Sequence, residues 1–194
     1  NFVVAIKRNG ELLSSIINDI LDLSKIEAGK MQVMIRETTL REILTDTQAL
    51  LDLQATEKGI ALNVIVDSNI PEIIKTDTLR LRQILINIIG NAIKFTKKGT
   101  VDVQVKLQTN VDGKELLAFI VKDTGVGISE DQVEKLFAPF SQADFTLTRK
   151  FGGSGLGLVL SKRFAYLLGA DVVLTQTTLG QGSNFVITIM ISRG

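Results

Sequence analysis

The 194-residue sequence contains no cysteine and no histidine. Without cysteine there is no disulfide and no thiolate metal site, and without histidine the usual zinc and transition-metal ligands are missing as well. Any metal held by this chain is therefore expected to be oxygen-bound, as magnesium is. A charge excess is also lacking: 22 basic and 21 acidic residues are mixed along the chain and leave a formal net charge of +1. That balance gives no electrostatic footprint for a polyanion, so nucleic acid is not an expected partner. Long apolar runs are absent too. The most apolar stretch, residues 84–93, is interrupted by Asn87, Gly90 and Asn91 and falls short of the roughly 20 residues a spanning helix needs. No membrane contact by this chain is expected. No signal peptide, internal repeat or low-complexity segment is visible, and Asn1 already stands in a helical pattern, so the chain reads as a piece of something longer.

What is present is ordinary globular material, with 45% hydrophobic and 22% charged residues. Ile6, Leu13 and Ile20 recur every seven residues with Ile16 and Leu23 between them, which predicts a helix over residues 2–28 stopped by Gly29. Leu12, Ile17 and Leu21 broaden its apolar stripe, as in a helix that packs in a bundle. Residues 31–35 alternate and predict a strand, residues 40–58 a helix, and residues 60–66 a second strand. Beyond Pro71 a helical pattern covers residues 78–95, with Asp77 placed to cap it. Residues 100–123 predict a hairpin around an Asp112-Gly113 turn. A glycine-rich stretch, a helix over residues 156–168, and strands over 172–176 and 184–191 about a Gly180/Gly182 turn complete the chain. The expected class is α+β, a two-layer α/β sandwich preceded by one long helix.

Three features carry chemistry. Asn87, Asn91 and Lys94 are spaced to share one face of a helix that is otherwise apolar. Carboxamide oxygens there can ligate a hard cation, and the ammonium can meet phosphates. Asp123 closes an apolar strand and is followed by Thr124, Gly125, Val126 and Gly127, so a carboxylate is presented beside a sharp turn. An ionised Asp123 only accepts hydrogen bonds, which suits the exocyclic amine of adenine and not the oxygen of guanine. If that bond contributes about 1.5–3 kcal/mol, the preference is on the order of ten- to a hundredfold. Gly153, Ser154, Gly155, Leu156 and Gly157 run into a helix, where backbone N–H groups can cradle phosphate, and Arg149 lies just upstream. Neither the Lys-Ser/Thr of a P-loop nor a dinucleotide-fold setting is present. Each feature alone also has a plain reading as a solvent face, a turn or a solvated charge pair. Their co-occurrence suggests a nucleotide site.

These residues resemble the histidine-kinase branch of the GHKL ATPase superfamily, in the family's order and over nearly the whole chain. Residues 87–96 (NIIGNAIKFT) resemble the N box, residues 123–128 (DTGVGI) the first glycine box, and residues 136–140 (LFAPF) the F box. Residues 153–158 (GSGLGL) resemble the second glycine box and residues 180–183 (GQGS) the last glycine turn. Residues 22–29 (DLSKIEAG) look like the end of the second dimerisation helix. The resemblance implies a Bergerat-type ATP site in which Asn91 ligates Mg2+, Asn87 and Lys94 meet the phosphates, and Asp123 reads adenine. Phe95, Gly125, Gly127, Arg149, Gly153, Ser154, Gly155, Leu156 and Gly157 would complete it. It further implies a dimerisation helix over residues 1–30, an ATP-binding domain over residues 31–194, and a mobile ATP lid over about residues 138–154.

In that family the γ-phosphoryl group passes to a histidine on the first dimerisation helix and then to an aspartate on the receiver domain of a response regulator. The resemblance thus implies a protein-histidine kinase working in the cytoplasm as a homodimer in its intact parent. With no histidine of its own, the chain is expected to bind ATP and to depend on an acceptor outside it. Two rival readings are an ATP-binding or dimerisation module without transfer, and an ATPase of the gyrase B branch. The latter carries a glutamate base where this chain has Asn87, and a carboxamide is no proton acceptor near neutral pH.

Overall fold

Capping residues start the two helices that carry most of the core. In the computed structural model, which describes residues 2–139 and 155–193, the Thr39 hydroxyl accepts from the Glu42 N–H at 3.3 Å and opens α2 (Leu40–Lys58). Gly59, at φ 67°, closes that helix in the left-handed conformation favoured at such ends. Asp77 caps α3 (Thr78–Phe95) as expected, accepting from the Arg80 N–H at 3.1 Å. Its other oxygen accepts from the Met34 N–H at 2.8 Å. The remaining helices are α1 (Phe2–Glu27), the short α4 (Glu130–Val133) and α5 (Gly157–Leu167).

Five strands, β2 (Ile60–Val66), β4 (Gly99–Thr109), β5 (Glu115–Asp123), β6 (Val172–Thr178) and β7 (Gly182–Met190), form one sheet in the order β2-β4-β5-β7-β6. Only β2 and β4 run parallel; the other pairs are antiparallel. Alternation decides the faces. Val101, Val103 and Val105 of β4 are buried with Phe119, Val121 and Ile187 beneath α2, α3 and α5, while Asp102, Gln104 and Lys106 point away. Ile84, Ile88 and Ile93 of α3 enter the same core. The arrangement is the two-layer sandwich expected from the pattern.

A second, three-stranded sheet was not expected. It joins β1 (Arg36–Thr39), β3 (Ile73–Thr76) and β8 (Ser192–Arg193) in the order β1-β3-β8. The strand expected over residues 31–35 is not formed. Met31 and Val33 pack on the core without a strand alongside, and the Met34 N–H is taken by Asp77 instead of a ladder partner. The strand lies just beyond, in polar residues 36–39, which pair with β3 at the sheet's edge.

The first helix is largely open to solvent. Ile6, Leu13 and Ile20 of its apolar stripe are exposed, whereas Leu23 is buried and Ile26 packs against the main core. Arg80 fastens this lower end. Its guanidinium donates to Asp22 at 2.8 Å and to Gln83 at 2.8 Å, approaches the Met31 sulfur at 3.2 Å, and lies 4.7 Å from the Phe164 ring centroid on α5. Both charged side chains of the Asp22–Arg80 pair are more than four-fifths buried, so solvent screens them less than an ordinary surface pair. Arg80→Ala is expected to lower stability by about 1.5–3 kcal/mol, the usual range for a charge-assisted hydrogen bond. Urea unfolding measures that loss, and faster amide exchange in the last turns of α1 locates it.

Candidate nucleotide site

The site forms where the polar face of α3 meets the end of β5 and the start of α5. Asn87, Asn91 and Lys94 line one side of α3, while Leu85, Ile89 and Ala92 are buried on the opposite side. The two asparagines are linked, with Asn91 Nδ2 3.5 Å from Asn87 Oδ1. Asn87 Nδ2 in turn donates to Ser161 Oγ on α5 at 2.8 Å. Gly157 begins α5 directly against Asn87: a Cβ there would stand 2.9 Å from the asparagine Cγ. Only glycine admits this approach without displacing Asn87, so the glycine marks where the two helices close on one another.

Asp123 ends β5, paired in register with Val101 of β4, and retains 6% exposure. Burial raises its carboxyl above the usual value, while hydrogen bonds from the backbone N–H groups of Gly125 and Ser183 act in the opposite direction. The Gly125 N–H reaches Asp123 Oδ1 at 2.8 Å. A carboxylate has about four acceptor directions, so these two backbone donors leave capacity for a ligand donor. Behind it, Gly182 at φ 101° lies so close that a Cβ would strike the Asp123 carbonyl.

The loop after Asp123 is tied at both flanks. The Val126 N–H donates to the Phe95 carbonyl at 3.3 Å, the Gly180 N–H donates to the Val126 carbonyl at 2.8 Å, and the Ile128 N–H donates to Thr177 Oγ1 at 2.9 Å. At Gly125 a Cβ would meet both Asp123 Oδ1 and the Phe95 carbonyl at 2.7 Å; at Gly127, φ 69°, it would strike the backbone of Thr178. Both glycines therefore let the loop lie flat between α3 and the β6–β7 turn.

The end of α3 is held by a residue that gave no local signal. Lys58, the last residue of α2, donates to the carbonyls of Ile93 and Lys94 at 2.7 Å and of Thr96 at 2.9 Å. An ammonium there satisfies carbonyls that the helix cannot and complements its negative end. This fixes the turn that presents Lys94 and Phe95. Burial lowers the Lys94 ammonium below the usual lysine value, which reports a partly desolvated cation placed 5.1 Å from the Phe95 ring centroid.

The second glycine-rich stretch is described only in part. Arg149, Gly153 and Ser154 lie outside the described residues, as does nearly all of the segment expected to form the lid. Gly155 has φ 71°, and Leu156 turns its side chain fully into the core while its carbonyl accepts from the Leu160 N–H at 2.9 Å. Phe137 packs on the core beneath Lys162, whose ammonium is 4.7 Å from the ring centroid. A cavity of about 480 Å³ lies on the other flank of the loop, lined by Ile128–Asp131, Val133 and Thr177–Leu179, and does not include Asn87, Asn91, Lys94 or Asp123. Among the described residues no group of three or more His, Cys, Asp or Glu side chains could hold a metal, and no helix is long and apolar enough to cross a membrane.

The donor set is therefore two carboxamides and an ammonium on one helix face, with an acceptor-only carboxylate at a neighbouring strand end. It fits a nucleotide with an oxygen-ligated cation. Magnesium takes few protein ligands and completes its shell with phosphate and water, so one carboxamide oxygen suffices.

Known proteins share both the sequence and the architecture. The sensor protein GacS of Pseudomonas syringae pv. syringae is 41% identical over 100% of this chain, which spans 21% of that protein. The hybrid signal transduction histidine kinase B of Dictyostelium discoideum is 40% identical over 97% of this chain, which spans 10% of it. The chain thus corresponds to about a tenth to a fifth of the length of these relatives. The crystal structure of full-length ShkA in complex with AMPPNP superposes with a TM-score of 0.84 and 32% identity, covering 100% of this chain and 39% of that one. The family described as "Histidine kinase-, DNA gyrase B-, and HSP90-like ATPase" matches residues 76–193. That segment holds the Asp77 cap, the polar face of α3, Asp123 and Gly157, and the chain belongs to this family.

Proposed function

We propose that this chain is the ATP-binding part of a sensor histidine kinase and binds Mg-ATP for transfer of the γ-phosphoryl group to a histidine outside it. The observation that carries this reading is the buried Asp123 carboxylate facing a helix that bears Asn87, Asn91 and Lys94 within the family fold. Asp123 would accept from the exocyclic amine of adenine, Lys94 and Asn87 would meet phosphate oxygens, and Asn91 Oδ1 would ligate magnesium. Phe95, Gly125, Gly127, Gly155, Leu156 and Gly157 would shape the pocket, with Arg149, Gly153 and Ser154 on or beside the lid of residues 138–154. The magnesium would draw charge from the β- and γ-phosphates during transfer. Phosphoryl transfer asks mainly for positioning and charge stabilisation, which a site made of helix-borne amides and an ammonium can provide. Asn87 supplies no general base for water, which favours transfer over hydrolysis.

Residues 1–30 would be the second helix of a dimerisation domain, and residues 31–194 the ATP-binding domain. The exposed stripe of Ile6, Leu13 and Ile20 suits pairing with an acceptor-bearing helix and a second copy of the chain. A receiver domain of a response regulator would then take the phosphoryl group in the cytoplasm.

Calorimetric titration with AMPPNP, with and without magnesium, tests the site first. Binding strengthened by magnesium is expected. Transfer is then tested by adding a separately produced acceptor helix hairpin of a related sensor kinase together with labelled ATP. Acid-labile label on its histidine is the expected result. Binding without transfer would favour a non-catalytic module, and faster release of inorganic phosphate than labelling would favour an ATPase.

A further inference from the structure

The last four carbonyls of a helix have no intrahelical donor, and the helix end frays unless other groups take them. At the end of α3 all four have partners, which lie on different elements. Ala92 accepts from the Thr96 N–H at 3.1 Å and from the Thr96 hydroxyl at 2.7 Å. The Lys58 ammonium donates to the Ile93 and Lys94 carbonyls inside the helix and to the Thr96 carbonyl just past it, where the backbone has turned extended at φ −89°, ψ 123°. These bonds match the three N–H groups of an ammonium and straddle Phe95. Phe95, between them, gives its carbonyl to the loop that follows Asp123. It accepts from the Val126 N–H at 3.3 Å and lies so close to Gly125 that a Cβ there would stand 2.7 Å from it. The exit of α3 is thus the joint between the helix that bears Asn87, Asn91 and Lys94 and the loop that leaves Asp123.

We propose that Lys58 is a positioning residue for the nucleotide site: by gripping the exit of α3 it keeps the Phe95 carbonyl on the loop after Asp123, and so holds the base acceptor in register with Asn87, Asn91 and Lys94. The inference rests on the Mg-ATP reading of the site. Lys58 stands on α2, an element that supplies no group to the ligand in that reading, so it acts only through the backbone it holds. A nucleotide bonded at both base and phosphates gains from both ends only when the two sets of groups are already in place, and looseness between them adds an ordering cost to binding. Without the ammonium, water can take the three carbonyls but cannot tie them to one another. The last turn of α3 and the extended Thr96 then move independently, and the Phe95 carbonyl between them loses its fixed direction.

Lys58→Met, which keeps an apolar stem and removes the donors, is expected to weaken AMPPNP affinity about three- to tenfold, the range of one net hydrogen bond. Lys58→Arg, which restores a cation with several N–H donors, should return affinity to within about twofold of wild type. In nucleotide-free protein, Lys58→Met should speed hydrogen exchange of the Val126 N–H about tenfold through local opening, and Lys58→Arg should slow it again. The amides of Ile88 in α3 and Phe119 in β5 should change only as far as global stability requires. Should the methionine variant not fold, Lys58→Gln, an uncharged and shorter side chain, takes its place with the same expected direction. A role confined to stability would speed all these amides alike and leave the affinity of the folded variant at the wild-type value, and that result would overturn the proposal. So would unchanged Val126 exchange, which does not depend on nucleotide binding at all. Absence of AMPPNP binding by the wild type would instead defeat the Mg-ATP reading, while Val126 exchange still shows whether Lys58 holds the joint.

Discussion

Asp123→Ala lowers the affinity for AMPPNP by about ten- to a hundredfold, the equivalent of one charge-assisted hydrogen bond of about 1.5–3 kcal/mol. The side chain is at the strand end with 6% exposure, so its bond to an adenine amine would be made largely out of water. A guanosine analogue, which presents an oxygen where adenine has its amine, should bind weakly to the wild type and no worse to the variant. Acidification supplies a second signature. Burial raises the Asp123 carboxyl above the ordinary carboxylate value against the pull of its two backbone donors. A protonated carboxyl has lost the charge that strengthens its acceptance from the amine. Affinity is therefore level at pH well above the raised value and falls as pH drops through it, whereas the alanine variant shows no such fall. The same shift bears on folding with the opposite sense to an ion-paired carboxylate. Between the ordinary value and the raised one the folded chain holds more protons than the unfolded chain, so the burial penalty is full above the raised value and is relieved on acidification. Calorimetry at several pH values on both proteins reads the first effect, and urea unfolding over the same range reads the second. An Asp123→Ala variant that binds AMPPNP as tightly as wild type would remove the carboxylate from the site.

The elements that sequence reasoning placed best are those in which period and punctuation agree. Residues 40–58, 60–66 and 78–95 carry a helical or alternating pattern bounded by Thr39, Gly59 and Asp77, and they fold as α2, β2 and α3 with those limits. The second sheet was illegible for an equally physical reason. β1 is a polar edge strand, β3 has four residues and β8 two, so none is long enough to show alternation, and their pairing depends on segments far apart in the chain. The site divides in the same way. Asn87, Asn91, Lys94 and Asp123 are visible because spacing along one helix or position at one strand end is a local property. Ser161 and Lys58, like Arg80 outside the site, were missed because each acts on a distant partner: Ser161 and Asn87 are 74 residues apart, Lys58 and Ile93 35, and Arg80 and Asp22 58. A serine in an apolar helix one turn beyond a glycine was the one available hint, and it gains meaning only when α5 is seen against α3.

Gly182→Ala should be among the most destabilising single-methyl additions the fold can receive. At φ 101° an L-residue is strained by about 1–3 kcal/mol before any contact is considered. The added Cβ would also drive into the Asp123 carbonyl and come within 2.7 Å of its carbon and 2.9 Å of Thr124 Cα. These are backbone atoms of β5 and the loop after it, so no side-chain rotation relieves the collision. Relief requires β7 to withdraw from β5 at the point where Ser183 and Gly125 hold the carboxylate. Loss of stability and loss of AMPPNP binding are therefore expected together. Gly180→Ala separates strain from contact, because Gly180 also has positive φ, 76°, but a Cβ there meets nothing within 4 Å. Only the backbone strain of about 1–3 kcal/mol applies to it, and Asp123 stays in place. Urea unfolding should rank Gly182→Ala well below Gly180→Ala, and only the former should lose AMPPNP affinity. Equal losses in both would mean that turn conformation, not the backbone approach behind Asp123, is what requires glycine at position 182.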